Sequence, residues 1–351
     1  KIDKTSSNKD YLKELEYAYN NILNSYVEKV DEKELTNAAI KGMYNYLGDP
    51  YTSYLDKDST DNLMDRLKGE YKGIGVEITT NESGTVVMTV FENSPAEEAG
   101  IMVGDIITKV KGVDVNGKTT SEVSNMIKST NGNVEIEVNR GGITKTLTLK
   151  VSTVSIKSVI KNKYDKTGYL RIETFSNTTY KQFKENLETL EKDGIENLIV
   201  DVRNNGGGFL NSAVEIAELF VEKGKPIYGL QTKDKKEMYK DTTKEKRDYK
   251  VMILINGGSA SASEVLAAAL KESYGATLLG TKSYGKGTVQ DTSELESGGM
   301  IKYTTAYWLT PKGVTINEKG LTPDIEVTGS FKDGMTLEND VELQTAINNL
   351  K

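Results

Sequence analysis

The spacing of apolar positions changes character twice along the chain, and each change marks a different kind of element. In "DYLKELEYAYNNILNSYV", Leu12, Leu15, Tyr19, Ile22, Leu23 and Tyr26 recur every third or fourth position, which predicts an amphipathic helix. "DEKELTNAAIKGMYNYLGD" predicts a second helix that opens at Asp31 and closes near Gly48. Residues 9–48 therefore read as a helical pair that packs on its own domain or on a partner. "DPYTSYL" follows as a turn. The acidic run from Asp56 to Asp65 lacks the glycine and terminal glutamate of an EF-hand loop, so no metal is assigned to it.

From residue 70 the period falls to two. "GIGVEI" and "TVVMTVF" read as strands, "GDIITKVKGVDV" as a strand pair around a tight turn at Lys111–Gly112, and "NVEIEVNRGGITKTLTLKV" as a hairpin. Two short helices interrupt them. In "SPAEEAG", Ser94 can cap, Pro95 fits the first helical position and Gly100 ends the turn. "TTSEVSNMIKS" carries a capping box from Thr119 to Glu122 and turns Val123, Met126 and Ile127 inward. From about residue 154 strands and helices alternate. "GYLRIETF", "ENLIVDVR" and "KVMILIN" are strand-like, and helices are predicted at 178–193, 210–222 and 261–273. A lysine-rich segment lies at 233–250. That alternation predicts an α/β core.

Composition narrows the chemistry. The chain has 351 residues, enough for two or three domains, and 28% of them are charged, as in a soluble globular protein. The net charge of −7 argues against nucleic acid as the main partner, because neutralising phosphates needs a basic face. The chain holds neither histidine nor cysteine. That removes the serine–histidine–aspartate triad, cysteine nucleophiles, disulfides and ordinary zinc sites together. No run of 18 apolar residues is present to span a membrane, and the start at Lys1 leaves room for an upstream signal or anchor.

Candidate chemistry gathers at the carboxyl ends of the core strands, where loops of an α/β sheet converge. "IVDVRNNGGG" ends in Gly206, Gly207 and Gly208, whose backbone N–H groups can approach a ligand oxygen. "MILINGGSASASE" delivers Ser259, Ser261 and Ser263 to the start of a helix, where developing negative charge is favoured. Without histidine, the base for a serine must be lysine, a carboxylate or tyrosine. A lysine serves only when deprotonated, so its ordinary pKa of ~10.4 must be lowered by burial. Lys286, in "GTKSYGKGTVQ", has uncharged neighbours from Ser283 to Gln290 and is the better lysine candidate. The same residues allow plainer readings. Ser261 stands three residues before Glu264 and can simply cap a helix. The three glycines can form an ordinary loop. "GTKSYGKG" approximates a phosphate-binding loop, with Gly287 where serine or threonine would bind magnesium.

The stretches "DVRNNGGG", "GSASASEVLAAAL", "GTKSYGKGTVQ" and "GLTPDIEV", in that order, resemble the carboxyl-terminal processing (tail-specific) proteases. "VDEKELTNAAIKGMYNYLGDPYTSYL" resembles their N-terminal segment, and residues 70–153 resemble their PDZ domain. The resemblance implies an α/β protease core of the ClpP/crotonase type, with an inserted β-rich PDZ domain and a helical N-terminal segment. The implied boundaries are 1–69, 70–153, 154–328 and a final helical segment at 329–351. It further implies a serine–lysine dyad with Ser261 as nucleophile, Lys286 as general base and Gln290 orienting the lysine or holding its charge. The oxyanion hole is expected from the N–H groups of Gly207 and Ala262. Gly206 replaces a proline common in the family, which is expected to loosen that loop. In "YKGIGVEI" the N–H groups of Ile74, Gly75 and Val76 are expected to cradle a peptide carboxylate, beside a pocket lined or supported by Val123, Met126 and Ile127. Partners are expected to be proteins or peptides with free C-termini. No cofactor and no metal is expected. The resemblance also implies a homodimer, held by the N-terminal helices and "DVELQTAINNL", in an extracytoplasmic location. Two rival readings remain: a peptide-binding scaffold that retains the fold without catalysis, and a crotonase-type acyl enzyme that would need coenzyme A.

Overall fold

A computed structural model describes residues 8–329, 331–332 and 334–351. It divides into two compact units. One runs through Thr60 and includes Gln290–Thr304. The other contains Asp61–Val289 and Thr305–Lys351.

In the first unit the expected helices span Asn8–Ser25 and Glu32–Asn45. Asp31 caps the second by accepting from the Glu34 N–H at 3.0 Å. The Tyr19 hydroxyl joins the two helices through Thr36 Oγ1 at 2.6 Å. After the turn at Asp49, Ser53–Leu55 pairs antiparallel with Met300–Lys302. The buried Tyr54 hydroxyl donates to Asn37 Oδ1 at 2.6 Å. The acidic run beyond it is helical, which its charge pattern did not suggest. Asp56 accepts from the Ser59 N–H and starts the helix Lys57–Lys68. That backbone N–H holds the Asp56 carboxyl below its ordinary pKa.

In the second unit the β-rich module is a sheet whose spatial order is Val76–Asn81, Gly84–Val90, Ile106–Val110, Asn133–Arg140 and Ile143–Lys150. Val113–Asp114 pairs with Ile106–Val110 around Lys111 and Gly112, both at positive φ, the turn geometry that matches strand twist. Alternate residues fill its core, among them Val87, Ile107, Val110, Val134, Ile136 and Val138. Both expected caps form: Ser94 accepts from the Glu97 N–H, and Thr119 and Glu122 complete their box. Arg140 binds both oxygens of buried Asp105, at 2.6 and 2.7 Å. The strands entering and leaving the module, Glu70–Gly73 and Ser152–Ser155, pair with each other.

The core sheet runs Val159–Tyr164, Thr167–Ile172, Asn197–Asp201, Lys250–Ile255, Thr277–Gly280 and Ile325–Glu326. Its first pair is antiparallel and the rest are parallel. Continuous apolar runs such as "NLIVD" and "VMILI" follow from burial on both faces. One face carries the helices Thr179–Lys192, Leu210–Glu218 and Ala262–Ala269, through Phe183, Leu187, Ile216 and Leu266. The other carries the last helix, Val341–Leu350, through Leu343, Ala346, Ile347 and Leu350. That segment was expected to serve a dimer, but its apolar side is buried on the chain's own sheet. The lysine-rich segment contributes the strand Lys236–Lys240, which pairs with Pro226–Gln231.

Candidate active site

The three serines separate once folded. Ser259 is buried, and its hydroxyl donates to the Val202 carbonyl at 2.7 Å and accepts from the Asn256 N–H at 3.0 Å. Ser263 is buried, with its hydroxyl on the Asn205 carbonyl at 2.8 Å. Ser261 is half-buried and stands at φ 56°, ψ −117°, at the foot of the helix Ala262–Ala269. A non-glycine residue in that region stores about 1–3 kcal/mol of strain, which the surroundings must hold in place.

Glu264 supplies the hold. Its carboxylate is fully buried and accepts four hydrogen bonds: Ser261 N–H at 2.9 Å, Lys286 N–H at 3.0 Å, Gly285 N–H at 2.8 Å and the Ser283 hydroxyl at 2.6 Å. Burial pushes its pKa up, and these four donors act against that rise. The capping relation visible in the sequence is half realised. The Glu264 carboxylate takes the Ser261 N–H, and the Glu264 N–H goes to the Ser261 carbonyl at 2.8 Å. One carboxylate therefore fixes the backbones of both dyad candidates.

Lys286 is half-buried, and its carbonyl accepts from the indole N–H of Trp308 at 2.8 Å. Its flanking glycines are required by packing. A Cβ on Gly287 would stand 2.6 Å from Asn317, and one on Gly285 would stand 2.8 Å from the Gly320 nitrogen. The substitution that distinguishes this loop from a phosphate-binding loop thus has a steric cause. Gln290 belongs to the first unit. Its amide donates to Thr304 Oγ1 at 3.2 Å, and Thr304 in turn donates to Asp49 Oδ2 at 2.5 Å.

The glycine loop lies against Ser261. At Gly207, φ is 99°, and a Cβ there would be 2.8 Å from Ser261 Cβ and 3.0 Å from the Ala262 nitrogen. The expected oxyanion donor is nevertheless turned away. The Gly207 N–H donates to Asn205 Oδ1 at 2.9 Å, because the Asn205 side chain folds back along its own turn. Ala262 keeps the expected place at the first turn of its helix. Asn205 is pinned through its amide to the Ile172 carbonyl and through its carbonyl to the Ala260 N–H and the Ser263 hydroxyl.

In the β-rich module, the Ile74 and Gly75 carbonyls are held inward by the Ala96 and Phe91 N–H groups. Val76 starts the adjoining strand. The Ile74 side chain is buried. So are Val123 and Ile127, which belong to the module's core; Met126 is half-exposed. The hydrogen-bonding role of Glu264 and the buried Arg203 were not legible as site features. The available signal was a charged residue in an otherwise apolar helix start and another at the end of a buried strand.

Among the described residues no cluster of three or more histidine, cysteine, aspartate or glutamate side chains is arranged to hold a metal ion. No described helix is long and apolar enough to cross a membrane.

Comparison with known proteins agrees with this architecture piece by piece. Residues 166–327 match peptidase family S41, residues 73–151 match a PDZ domain, and residues 1–59 match the N-terminal domain of the activating protease CtpB. A "Probable CtpA-like serine protease" of Staphylococcus haemolyticus is 37% identical over 327 residues, covering 92% of this chain and 66% of that protein. Its counterpart in Staphylococcus aureus strain COL is 38% identical over 331 residues, covering 93% and 66%. The chain thus spans about two thirds of the length of these relatives. The solved structure of the photosystem II D1 C-terminal processing protease superposes with a TM-score of 0.52 at 28% identity, covering 93% of this chain and 94% of that one. With its S41 domain, PDZ domain and CtpB-like N-terminal segment in that order, the chain belongs to peptidase family S41.

Proposed function

We propose that the protein is a serine endopeptidase that captures protein C-termini through its PDZ domain and cleaves with Ser261 and Lys286. The observation that carries this reading is the Glu264 carboxylate, which binds the backbone N–H of both residues, while the hydroxyls of Ser259 and Ser263 are taken up by buried carbonyls. In the reaction, neutral Lys286 accepts the Ser261 hydroxyl proton as Oγ attacks the scissile carbonyl carbon. The resulting oxyanion is stabilised by the Ala262 N–H at the helix start and by the Gly207 N–H once it leaves Asn205. The lysine ammonium then donates its proton to the leaving amine, and water hydrolyses the acyl-enzyme by the same route.

Incubation with unfolded casein tests the assignment. Ser261→Ala is expected to abolish cleavage in a folded protein, and Ser259→Ala to retain its active-site chemistry. An active Ser261→Ala variant overturns the reading. Lys286→Arg cannot deprotonate and is expected to be inactive. Recognition of C-termini is tested with one peptide as free acid and as amide. The acid is expected to be cleaved faster, and equal rates would reduce the PDZ domain to a spacer. A homodimer through the N-terminal helices and an extracytoplasmic site complete the proposal. The exposed apolar side chains of Tyr11, Leu12, Leu15 and Ile22 support the first. The coenzyme A alternative loses ground to the PDZ match.

A further inference from the structure

Arg203 is a fully buried cation two residues beyond the strand Asn197–Asp201, at the head of the glycine loop. Its guanidinium donates to Asp201 Oδ2 at 2.6 Å, to Asp340 Oδ2 and Oδ1 at 2.7 and 2.9 Å, and to Glu342 Oε2 at 2.6 Å. The Phe331 ring covers it, 3.9 Å from ring centroid to guanidinium carbon. Two of its three carboxylates, and the ring, therefore come from the last 21 residues. Asp340 also caps the last helix by accepting from the Leu343 N–H at 3.0 Å.

Anchoring that helix does not require buried ions. Leu343, Ala346, Ile347 and Leu350 already bury its apolar side. Removing one partner of a buried pair is costly, and an apolar replacement of the whole group is often neutral, so the ions call for a role beyond stability. Their position suggests one. The Arg203 N–H is bonded to Asp201 Oδ1 at 2.9 Å, and the chain then turns sharply at Asn204, φ 57°. The next residue, Asn205, holds the Ala260 N–H at 3.0 Å and the Ser263 hydroxyl at 2.8 Å. Those two residues bracket Ser261. The buried polar contacts of Arg203 and those of Asn205, joined by the backbone through exposed Asn204, thus link the last helix to the segment that carries the nucleophile.

We propose that the Asp340 and Glu342 carboxylates at the start of the last helix are positioning groups for the reaction: they fix Arg203, and through it the Asn204–Gly208 turn against Ser261. They act through Arg203 and touch no reacting atom. The inference rests on Ser261 being the nucleophile.

The test uses the full chain with Asp340→Asn, which keeps the side-chain shape and a good helix cap while removing the charge, and with Glu342→Gln. Ile347→Ala is the control that loosens the same helix without touching the ions. Three quantities are read: kcat and KM for peptide cleavage, thermal stability, and hydrogen exchange of the backbone amides from Asn204 to Gly208. Asp340→Asn is expected to lower kcat between about tenfold and a hundredfold, with KM little changed, and to speed exchange across the turn. Ile347→Ala is expected to lower stability while keeping the parental kcat and exchange in the turn. Unchanged exchange in the turn of a folded Asp340→Asn protein overturns the proposal. So does a loss of kcat in Ile347→Ala matching that of Asp340→Asn. Exchange is read whether or not the chain cleaves peptides. An inactive parent would therefore count against the dyad assignment, while the exchange result would still decide the coupling.

Discussion

Gly207 and Ser261 show how much a single position can depend on its neighbours. A Cβ on Gly207 meets the Ser261 side chain and the Ala260 carbonyl, both at 2.8 Å, and the backbone is left-handed there. Gly207→Ala is therefore expected to lower activity by about a hundredfold or more, the scale of losing an oxyanion donor. Gly206→Ala should keep near-parental activity, because nothing lies within 4 Å of its Cβ position. Steady-state kinetics on the two variants, beside their melting temperatures, checks the contrast. Glu264→Gln is a second residue-level test. It retains the volume but presents an amide NH2 to donors that need an acceptor, at about 1–3 kcal/mol for each donor left unpaired. Lowered stability together with lost cleavage is expected, and a stable, active variant would remove Glu264 from the support of the site. The sequence presented Ser259, Ser261 and Ser263 as near-equivalents. What separates them are the Val202 and Asn205 carbonyls, 57 and 58 residues earlier in the chain, which no local pattern reveals.

Among the elements, the last helix and the start of the β-rich module carry the clearest consequences. Burial acts to raise the pKa of Asp340, but Arg203 and the Leu343 N–H outweigh it and hold the carboxyl below its ordinary value. A depressed folded pKa means that the stability this group contributes is present above the unfolded carboxylate value of ~3.9. It is lost as pH falls through the folded value. Melting temperature measured from pH 6 downwards is expected to fall below about pH 4 in the parent, with part of that fall absent in Asp340→Asn. Parallel curves for the two proteins would contradict the assignment. At the start of the β-rich module, Gly75 has φ 90°, and a Cβ there would lie 2.1 Å from Ser94 Cβ. Even Gly75→Ala is expected to displace the Ser94 cap and destabilise the module. Peptide recognition is therefore better tested by changing the peptide's C-terminus than by filling this loop. The caps at Ser94 and Thr119 were legible because capping is local. The helix Lys57–Lys68 was obscured by its acid-rich start.

At the scale of the molecule, the prediction concerns association. Leu12, Leu15, Ile22 and Tyr26 belong to the stripe that the helical period predicts, and they stay exposed in the single chain. A protein that buries this stripe against a second copy should lose the interface in a Leu12→Glu, Leu15→Glu double variant. Light scattering at matched concentration is expected to give a dimer mass for the parent and a monomer mass for the variant. A parental monomer would leave the stripe without that role. The final segment, which the family likeness grouped with the dimerising ends, folds instead onto its own sheet through Leu343, Ala346, Ile347 and Leu350.

Period and punctuation by themselves determined the α/β core, the β-rich insertion and the helical start, because burial on one or both faces is written into the spacing of apolar residues. The missing histidine removed the serine–histidine–aspartate triad, and the order of motifs pointed to one family. Tertiary structure alone decided which serine keeps a half-exposed position. It also decided that Glu264 joins the backbones of Ser261 and Lys286, that the Gly207 N–H turns to Asn205, and that Val123 and Ile127 are buried in the module's core. The physical reason is common to all four. A hydrogen bond or a packed methyl depends on the distance between atoms far apart in the chain, and periodicity shows which face a residue takes without showing what it meets there.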